Sequence, residues 1–382
     1  MEKTKNILIA PDSFKESLSA FEVARAIEVG FSKIFPSWNY IKIPMADGGE
    51  GTVQSIVDAT AGELKQVTVT NPLREKIKAT FGISGDGQEA IIEMAAASGL
   101  ELIDSIDRDP MIATSWGLGD LISAALDYEV KEIIIGIGGS ATNDGGAGMI
   151  QRLGGKLLDQ KGASIPLGGS GLAELHSIDL SGLDARLKNV KIEVASDVNN
   201  PLIGKNGATH IYGPQKGASP EQIEILDNNL AHFGKVIEKE LSKNIIDLPG
   251  AGAAGGVGAA LVAFLNADLR KGGELVTELL DLEEKVQKAD LVITGEGGLN
   301  HQTIYGKTPI VVAGLAKKYN LPVLMIAGSI LKGHEAVYDE GIDAAFSVLT
   351  EVTDEATALE NAYKNVVITA RNVAATLALN LR

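Results

Sequence analysis

No cysteine occurs in the 382 residues, which excludes disulfides, thiolate nucleophiles and cysteine-based zinc sites together. Aromatic residues are scarce at 4%, so any core must rest on valine, isoleucine, leucine and alanine. Basic residues are outnumbered, 34 against 50 acidic ones, and the formal charge of -16 repels a nucleic-acid backbone over most of the surface. Long hydrophobic runs are missing too. Glycine, aspartate or lysine interrupts each apolar stretch within about a dozen residues, short of the roughly 20 that a spanning helix needs, so no membrane partner is expected. The five histidines, His176, His210, His232, His301 and His334, have no metal-ligand spacing with one another. Residues 1–6 are charged and run straight into a short apolar segment, so neither a signal nor a transit peptide is expected there, and the cytoplasm is the expected compartment.

What is abundant is glycine, 44 residues, beside a hydrophobic fraction of 45%. That is the composition of an α/β protein with many tight turns. Short uniform apolar runs at 7–10 and 40–43 alternate with amphipathic helical patterns at 20–34 and 51–60. The C-terminal part repeats this, with strands expected at 291–294, 323–327 and 344–348 and helices at 309–319 and 356–379. Uniform runs suit parallel strands covered on both faces. Between them, closely spaced strand patterns at 67–70, 79–83 and 90–94 lead into glycine-rich loops and helices. The expected architecture is therefore two unlike α/β domains. A parallel-sheet, Rossmann- or flavodoxin-like domain is built from both chain ends (1–75 and 285–382), and a second domain with a mixed sheet (76–284) is inserted in it.

The strongest chemical signal follows the expected strand at 132–135. Six glycines, with Ser140, Thr142, Asn143 and Asp144, fill residues 136–148. Glycines there let the backbone approach a ligand and turn successive N–H groups toward an anion at the start of a helix. A plain strand-to-helix turn seldom needs so many. The run Gly250–Gly256 has GxGxxG spacing, but it does not open a first βα turn and no ribose-binding acid follows, so close packing accounts for it equally well. Gly306-Lys307-Thr308 resembles the end of a Walker A loop, yet His301 stands where that loop needs its first glycine. Polar residues cluster after the first two strands: Asp12, Ser13 and Lys15, then Asp47, Gly48, Gly49 and Glu50. Adjacent parallel strands would bring these to one carboxyl edge, where open α/β sheets bind ligands. Asp197, Lys216 and Glu296 follow later strands and loops.

These motifs carry a resemblance. APDSFKESLSA (10–20), ADGGEGT (46–52), EMAAASGL (93–100), TSWGLGDLI (114–122), GIGGSATNDGGAGM (136–149), NPL with GPQKGA (200–218) and GAGAAGG (250–256) are similar to bacterial glycerate kinases of the type-one family and run along the whole chain in order. The resemblance implies ATP and Mg²⁺, glycerate as the small-molecule substrate and a phosphoglycerate product. It favours the 2-hydroxyl as acceptor, and the residues themselves do not choose between hydroxyls. A homodimer is compatible with it. In one place the chain departs from the family's TGEGRxDxQT: Gly298 and Asn300 replace the arginine and aspartate.

On this reading the γ-phosphoryl group passes directly in line to glycerate. Gly138, Gly139, Ser140, Ala141, Thr142 and Asn143 are expected to hold the ATP phosphates, with Asp197 and Asp144 on Mg²⁺. Lys15 and Lys216 offset negative charge, Asp47 is the expected base with Asp12 second, and Ser13, Gly48, Gly49, Glu50 and Glu296 bind the substrate. Two other classes compete. A dinucleotide-dependent oxidoreductase would hold its cofactor at Gly250–Gly256, and a non-catalytic metabolite-binding homologue would fit the altered loop at 298–300.

Overall fold

The computed structural model describes residues 4–46, 48–49, 51–304 and 306–379. In chain order its strands are β1 (Asn6–Ile9), β2 (Asn39–Lys42), β3 (Glu63–Thr70), β4 (Lys76–Ile83), β5 (Glu89–Glu93), β6 (Glu132–Gly136), β7 (Lys156–Leu158), β8 (Ser177–Asp179), β9 (Lys191–Ala195), β10 (Asp268–Arg270), β11 (Leu291–Leu299), β12 (Val323–Ile330) and β13 (Ala344–Ser347). The chain divides into two compact units. One comprises 1–47, 54–60 and 273–382, and the other 48–53 and 61–272.

The first unit holds a five-stranded sheet ordered β13-β12-β11-β1-β2, parallel throughout. Renumbered within the unit, that is the flavodoxin-like order 2-1-3-4-5, which reverses direction between β1 and β11. Ile7, Leu8 and Ile9 are fully buried, as a strand covered on both faces requires. The helix Ala20–Ser32 starts at a capping box, in which Ser19 Oγ accepts from Glu22 N and the Glu22 carboxylate accepts from Ser19 N. It packs on the helix Ala362–Leu377. A Cβ on Gly30 would lie 2.6 Å from Ala370 Cβ and 2.6 Å from the Val367 carbonyl oxygen, so the helices touch closely only because residue 30 is glycine.

The second unit contains a six-stranded mixed sheet ordered β10-β9-β6-β5-β4-β3 and the small antiparallel pair β7-β8. Strands β5, β6, β9 and β10 are parallel neighbours, whereas β4 and β3 run antiparallel at one edge. The β3–β4 hairpin begins earlier than the apolar pattern suggests. As the edge strand, β3 exposes Glu63, Leu64, Gln66 and Thr68, so its first half has no apolar run to detect. The hairpin turn is fixed by Asn71, whose side-chain oxygen accepts from Leu73 N and Glu75 N.

Candidate active site

In the second unit, the carboxyl ends of β5, β6, β9 and β10 lie along one edge of the sheet. Out of β6 comes the glycine-rich turn. Gly138 and Gly139 are exposed, and Gly139 has φ +69°, the left-handed conformation that brings successive amides to one side. The N–H groups of Gly138, Gly139 and Ser140 donate to no acceptor among the described residues. Gly48 and Gly49 lie against this turn. A Cβ on Gly136 would stand 2.4 Å from the Gly48 carbonyl oxygen, and one on Gly138 would be 3.7 Å from Gly49 Cα. At the end of the neighbouring β9, exposed Asp197 accepts from Gly272 N at 3.0 Å through Oδ1.

The second half of the loop turns inward instead. Ala141, Thr142 and Asn143 are buried, Ala141 N donates to the Ser98 carbonyl, and Asn143 Nδ2 donates to Thr209 Oγ1 at 3.0 Å. Asp144 is 0% exposed. Its Oδ2 accepts from Ser115 N (2.8 Å), Ser115 Oγ (2.9 Å), Gly148 N (3.2 Å) and Thr114 Oγ1 (3.4 Å), and its Oδ1 from Gly146 N (3.1 Å). Burial raises its pKa, opposed by the hydrogen bonds from Ser115, Gly146 and Gly148. The carboxylate expected to bind a metal is enclosed and spent on the loop, and the helix-start amides expected to face a phosphate already face Asp144.

Lys216 lies behind the same turn, 2% exposed, with Nζ donating to Ser140 Oγ at 2.9 Å and to the Thr142 carbonyl at 2.7 Å. Burial pulls its pKa down to about 7, partly offset by the charge of Asp144. The second glycine run is a packing surface. Gly255 has φ +67°, its carbonyl accepts from Gly145 N, and a Cβ there would fall 2.0 Å from the Thr142 carbonyl oxygen. Residues 250–256 are all buried.

In the first unit, Asp12 follows β1 at the reversal point of the sheet. Its Oδ1 accepts from Ser13 N at 2.6 Å and its Oδ2 from Thr308 Oγ1 at 2.9 Å. Glu296, on neighbouring β11, is 6% exposed and accepts from Thr303 Oγ1 and, at 3.0 Å, from Lys307 Nζ. Lys15 is exposed, and the absence of a side chain at Gly297 lets Phe14 and Lys15 lie against β11. Asp47 and Glu50 lie outside the described residues.

Comparison with known proteins shows the family. The Glycerate kinase family profile matches residues 7–378. The chain belongs to the glycerate kinase family. It is 57% identical over 376 residues to a protein of Escherichia coli K12 named glycerate 2-kinase, covering 98% of this chain and 99% of that one. With a glycerate kinase of Bacillus subtilis 168 it shares 56% identity over 373 residues, 98% of each chain. A crystal structure from Salmonella typhimurium LT2, of a candidate glycerate kinase 2, superposes with a TM-score of 0.92 at 56% identity, covering 98% of this chain and 99% of that one.

Gly298 and Asn300 are the positions read from sequence as departing from the family pattern. Asn300 Oδ1 accepts from Gln302 N at 2.7 Å and its N–H donates to Thr303 Oγ1 at 3.2 Å, so a hydrogen-bonded turn orders this loop. The supports that sequence reasoning missed are Thr114 and Ser115, which hold Asp144, Ser98 and Thr209 against the glycine turn, and Thr303, Lys307 and Thr308 around Glu296 and Asp12. Both 93–100 and 114–122 stood out as motifs. Their chemistry was hidden because it is directed at the protein's own loop.

Proposed function

We propose that this chain is a cytoplasmic, ATP-dependent glycerate kinase that phosphorylates the 2-hydroxyl, giving 2-phosphoglycerate and ADP. The observation that carries the reading is the end-to-end match to the Escherichia coli protein named glycerate 2-kinase. Local geometry supports it: an acidic chain offers exposed, unspent amides at a glycine turn on a sheet's carboxyl edge.

Phosphoryl transfer needs positioning and charge neutralisation more than covalent help from the protein. The hydroxyl oxygen of glycerate attacks the γ-phosphorus, the bond to the β-phosphate oxygen breaks, and the hydroxyl proton passes to a carboxylate. Asp47 is the proposed acceptor of that proton, with Asp12, oriented by Ser13 N–H and Thr308, as the second candidate. The amides of Gly138, Gly139 and Ser140 hold the phosphates. Ser13, Gly48, Gly49, Glu50 and Glu296 bind and orient glycerate, and Lys15 faces its negative charge. Asp197 would hold Mg²⁺ together with the nucleotide phosphates, and the ion would supply charge neutralisation there. No group of three or more potential ligands occurs among the described residues, so these residues alone offer no all-protein cage. Mg²⁺ characteristically takes one or two carboxylates plus substrate phosphates, a demand that exposed Asp197 meets and enclosed Asp144 does not.

The test is ADP release with glycerate, lactate and glycerol as acceptors, and phosphorus NMR of the product. Turnover with glycerate alone and a phosphate on the 2-oxygen is expected. ADP release with none of the three, or a phosphate on the 3-oxygen, would contradict the reading.

A further inference from the structure

We propose that Lys216 is a positioning residue for the nucleotide phosphates: from behind the glycine turn its ammonium ties the Ser140 hydroxyl to the Thr142 carbonyl and lends positive charge to the outward amides, without touching the phosphates. This role rests on the reading of the chain as an ATP-dependent kinase. It narrows the role expected from sequence, in which Lys216 offsets negative charge on the transferred group or on the glycerate carboxylate.

Three observations converge on it. Lys216 is 2% exposed, and two of its three ammonium protons are spent on Ser140 Oγ and the Thr142 carbonyl, which leaves it poorly placed to reach a surface ligand. The loop it holds is short of internal partners, because Thr142 Oγ1 and Asn143 Oδ1 are buried without a hydrogen bond, as is Ser98 Oγ on the segment packed against it. Removing the ammonium would add the Thr142 carbonyl to that set. Third, a chain of formal charge -16 binds a polyphosphate only where local positive potential exceeds the general repulsion. Asp144 on the same loop works against that potential, and Lys216 counters it at the turn itself.

The charged and titratable neighbours are few. Asp144 faces Lys216 from the loop. Arg108 donates to the Gln215 carbonyl. His210, on the helix Ala208–Tyr212 packed against the 214–216 turn, lies 4.0 Å from Asp227. A polyanion on the turn favours the ammonium over the neutral amine, and by linkage the ammonium favours the polyanion. Since burial lowers Lys216 to about 7, nucleotide affinity is expected to fall as pH rises above that value, by at most about tenfold per pH unit.

The experiment is steady-state kinetics from pH 7.5 to 9, a window above the last phosphate proton loss, near pH 6 in phosphate esters. Wild type is compared with Lys216→Met and Lys216→Arg. In wild type the KM for ATP should rise several-fold across the window while the KM for glycerate stays level. Lys216→Met should raise the KM for ATP at least tenfold at pH 7.5, hold kcat at saturating ATP within about threefold, and lose the pH dependence. Lys216→Arg, charged throughout, should lie nearer wild type and be flat with pH. A kcat loss beyond a hundredfold in Lys216→Met with unchanged KM would mean that the lysine touches the reacting groups, and parallel pH profiles for wild type and Lys216→Met would make it merely structural. Either result overturns the proposal. Calorimetric binding of ADP to wild type over the same window is independent of both variants and of turnover, and a pH-independent affinity there also overturns it. No ADP release from wild type with glycerate at any pH would instead defeat the functional reading.

Discussion

Replacing Gly138 with alanine separates the glycine turn's role in binding from its role in the fold. Gly138 is exposed and its φ lies outside the left-handed range, so alanine fits its backbone. The nearest atom to an added Cβ is Gly49 Cα at 3.7 Å, an ordinary van der Waals contact. The fold should lose nothing, and a compatible glycine-to-alanine change usually gains about 0.4–1 kcal/mol through the unfolded chain. The new methyl group stands at the turn beside Gly49, where it is expected to hold a phosphate away from the amides. Losing one charge-assisted hydrogen bond costs about 1.5–3 kcal/mol, which is roughly 10- to 150-fold in nucleotide affinity. Gly139→Ala is the contrasting control. With φ +69° and Ala95 Cβ 3.3 Å from the added methyl, it should destabilise the fold by about 1–2 kcal/mol as well as weaken binding. The assays are denaturant melts beside calorimetric titration with ATP. A Gly138→Ala protein that is stable and binds ATP with wild-type affinity would refute the assignment of the phosphates to this turn.

Further consequences follow from the same contacts. Asp144→Ala leaves the amides of Ser115, Gly146 and Gly148 without their acceptor and should cost about 3–5 kcal/mol in a urea melt, whereas unchanged stability with a lost Mg²⁺ response would restore the metal-ligand role. Asp197→Asn keeps an oxygen for Gly272 N, so stability should hold while the Mg²⁺ concentration for half-maximal activity rises roughly tenfold, and an unshifted Mg²⁺ curve would remove Asp197 as a ligand. The folded-state pKa of Lys216 is lowered from 10.5 to about 7, so between those values the unfolded chain holds a proton that the native chain lacks, and this residue's contribution makes stability rise with pH by up to roughly 5 kcal/mol. Melts from pH 7 to 9 should therefore show wild type gaining on Lys216→Met, and parallel curves would contradict the shift. At Gly298 the nearest atom to an added Cβ is Ser329 Oγ at 3.9 Å, so Gly298→Arg with Asn300→Asp should fold normally, and equal kcat and KM in that double variant would show that the departure is confined to loop ordering.

The parallel sheet was legible because its strands are uniform apolar runs, as at Ile7–Ile9 and Val323–Ala327, separated by helices with a clear periodicity. The edge strand β3 was legible only in its second half, since solvent exposure replaces apolar residues with polar ones in the first. Among site residues, Gly138, Gly139 and Asp12 stand where spacing put them, at carboxyl edges of parallel strands. The surroundings of Asp144 were not legible, for a physical reason. A carboxylate in a glycine-rich loop reads the same whether it faces solvent or the loop's own amides, and only the fold brings Ser115, 29 residues distant in sequence, onto its oxygens. Lys216 is similar, for its partners Ser140 and Thr142 are 76 and 74 residues away.

A structure of the protein with a non-hydrolysable ATP analogue and Mg²⁺ tests the account most directly. The terminal phosphate oxygens should lie within about 3.2 Å of the amide nitrogens of Gly138, Gly139 or Ser140, with Lys216 still bonded to Ser140 and Thr142 behind them. Phosphates bound away from that turn, or held by Lys216 directly, would contradict it.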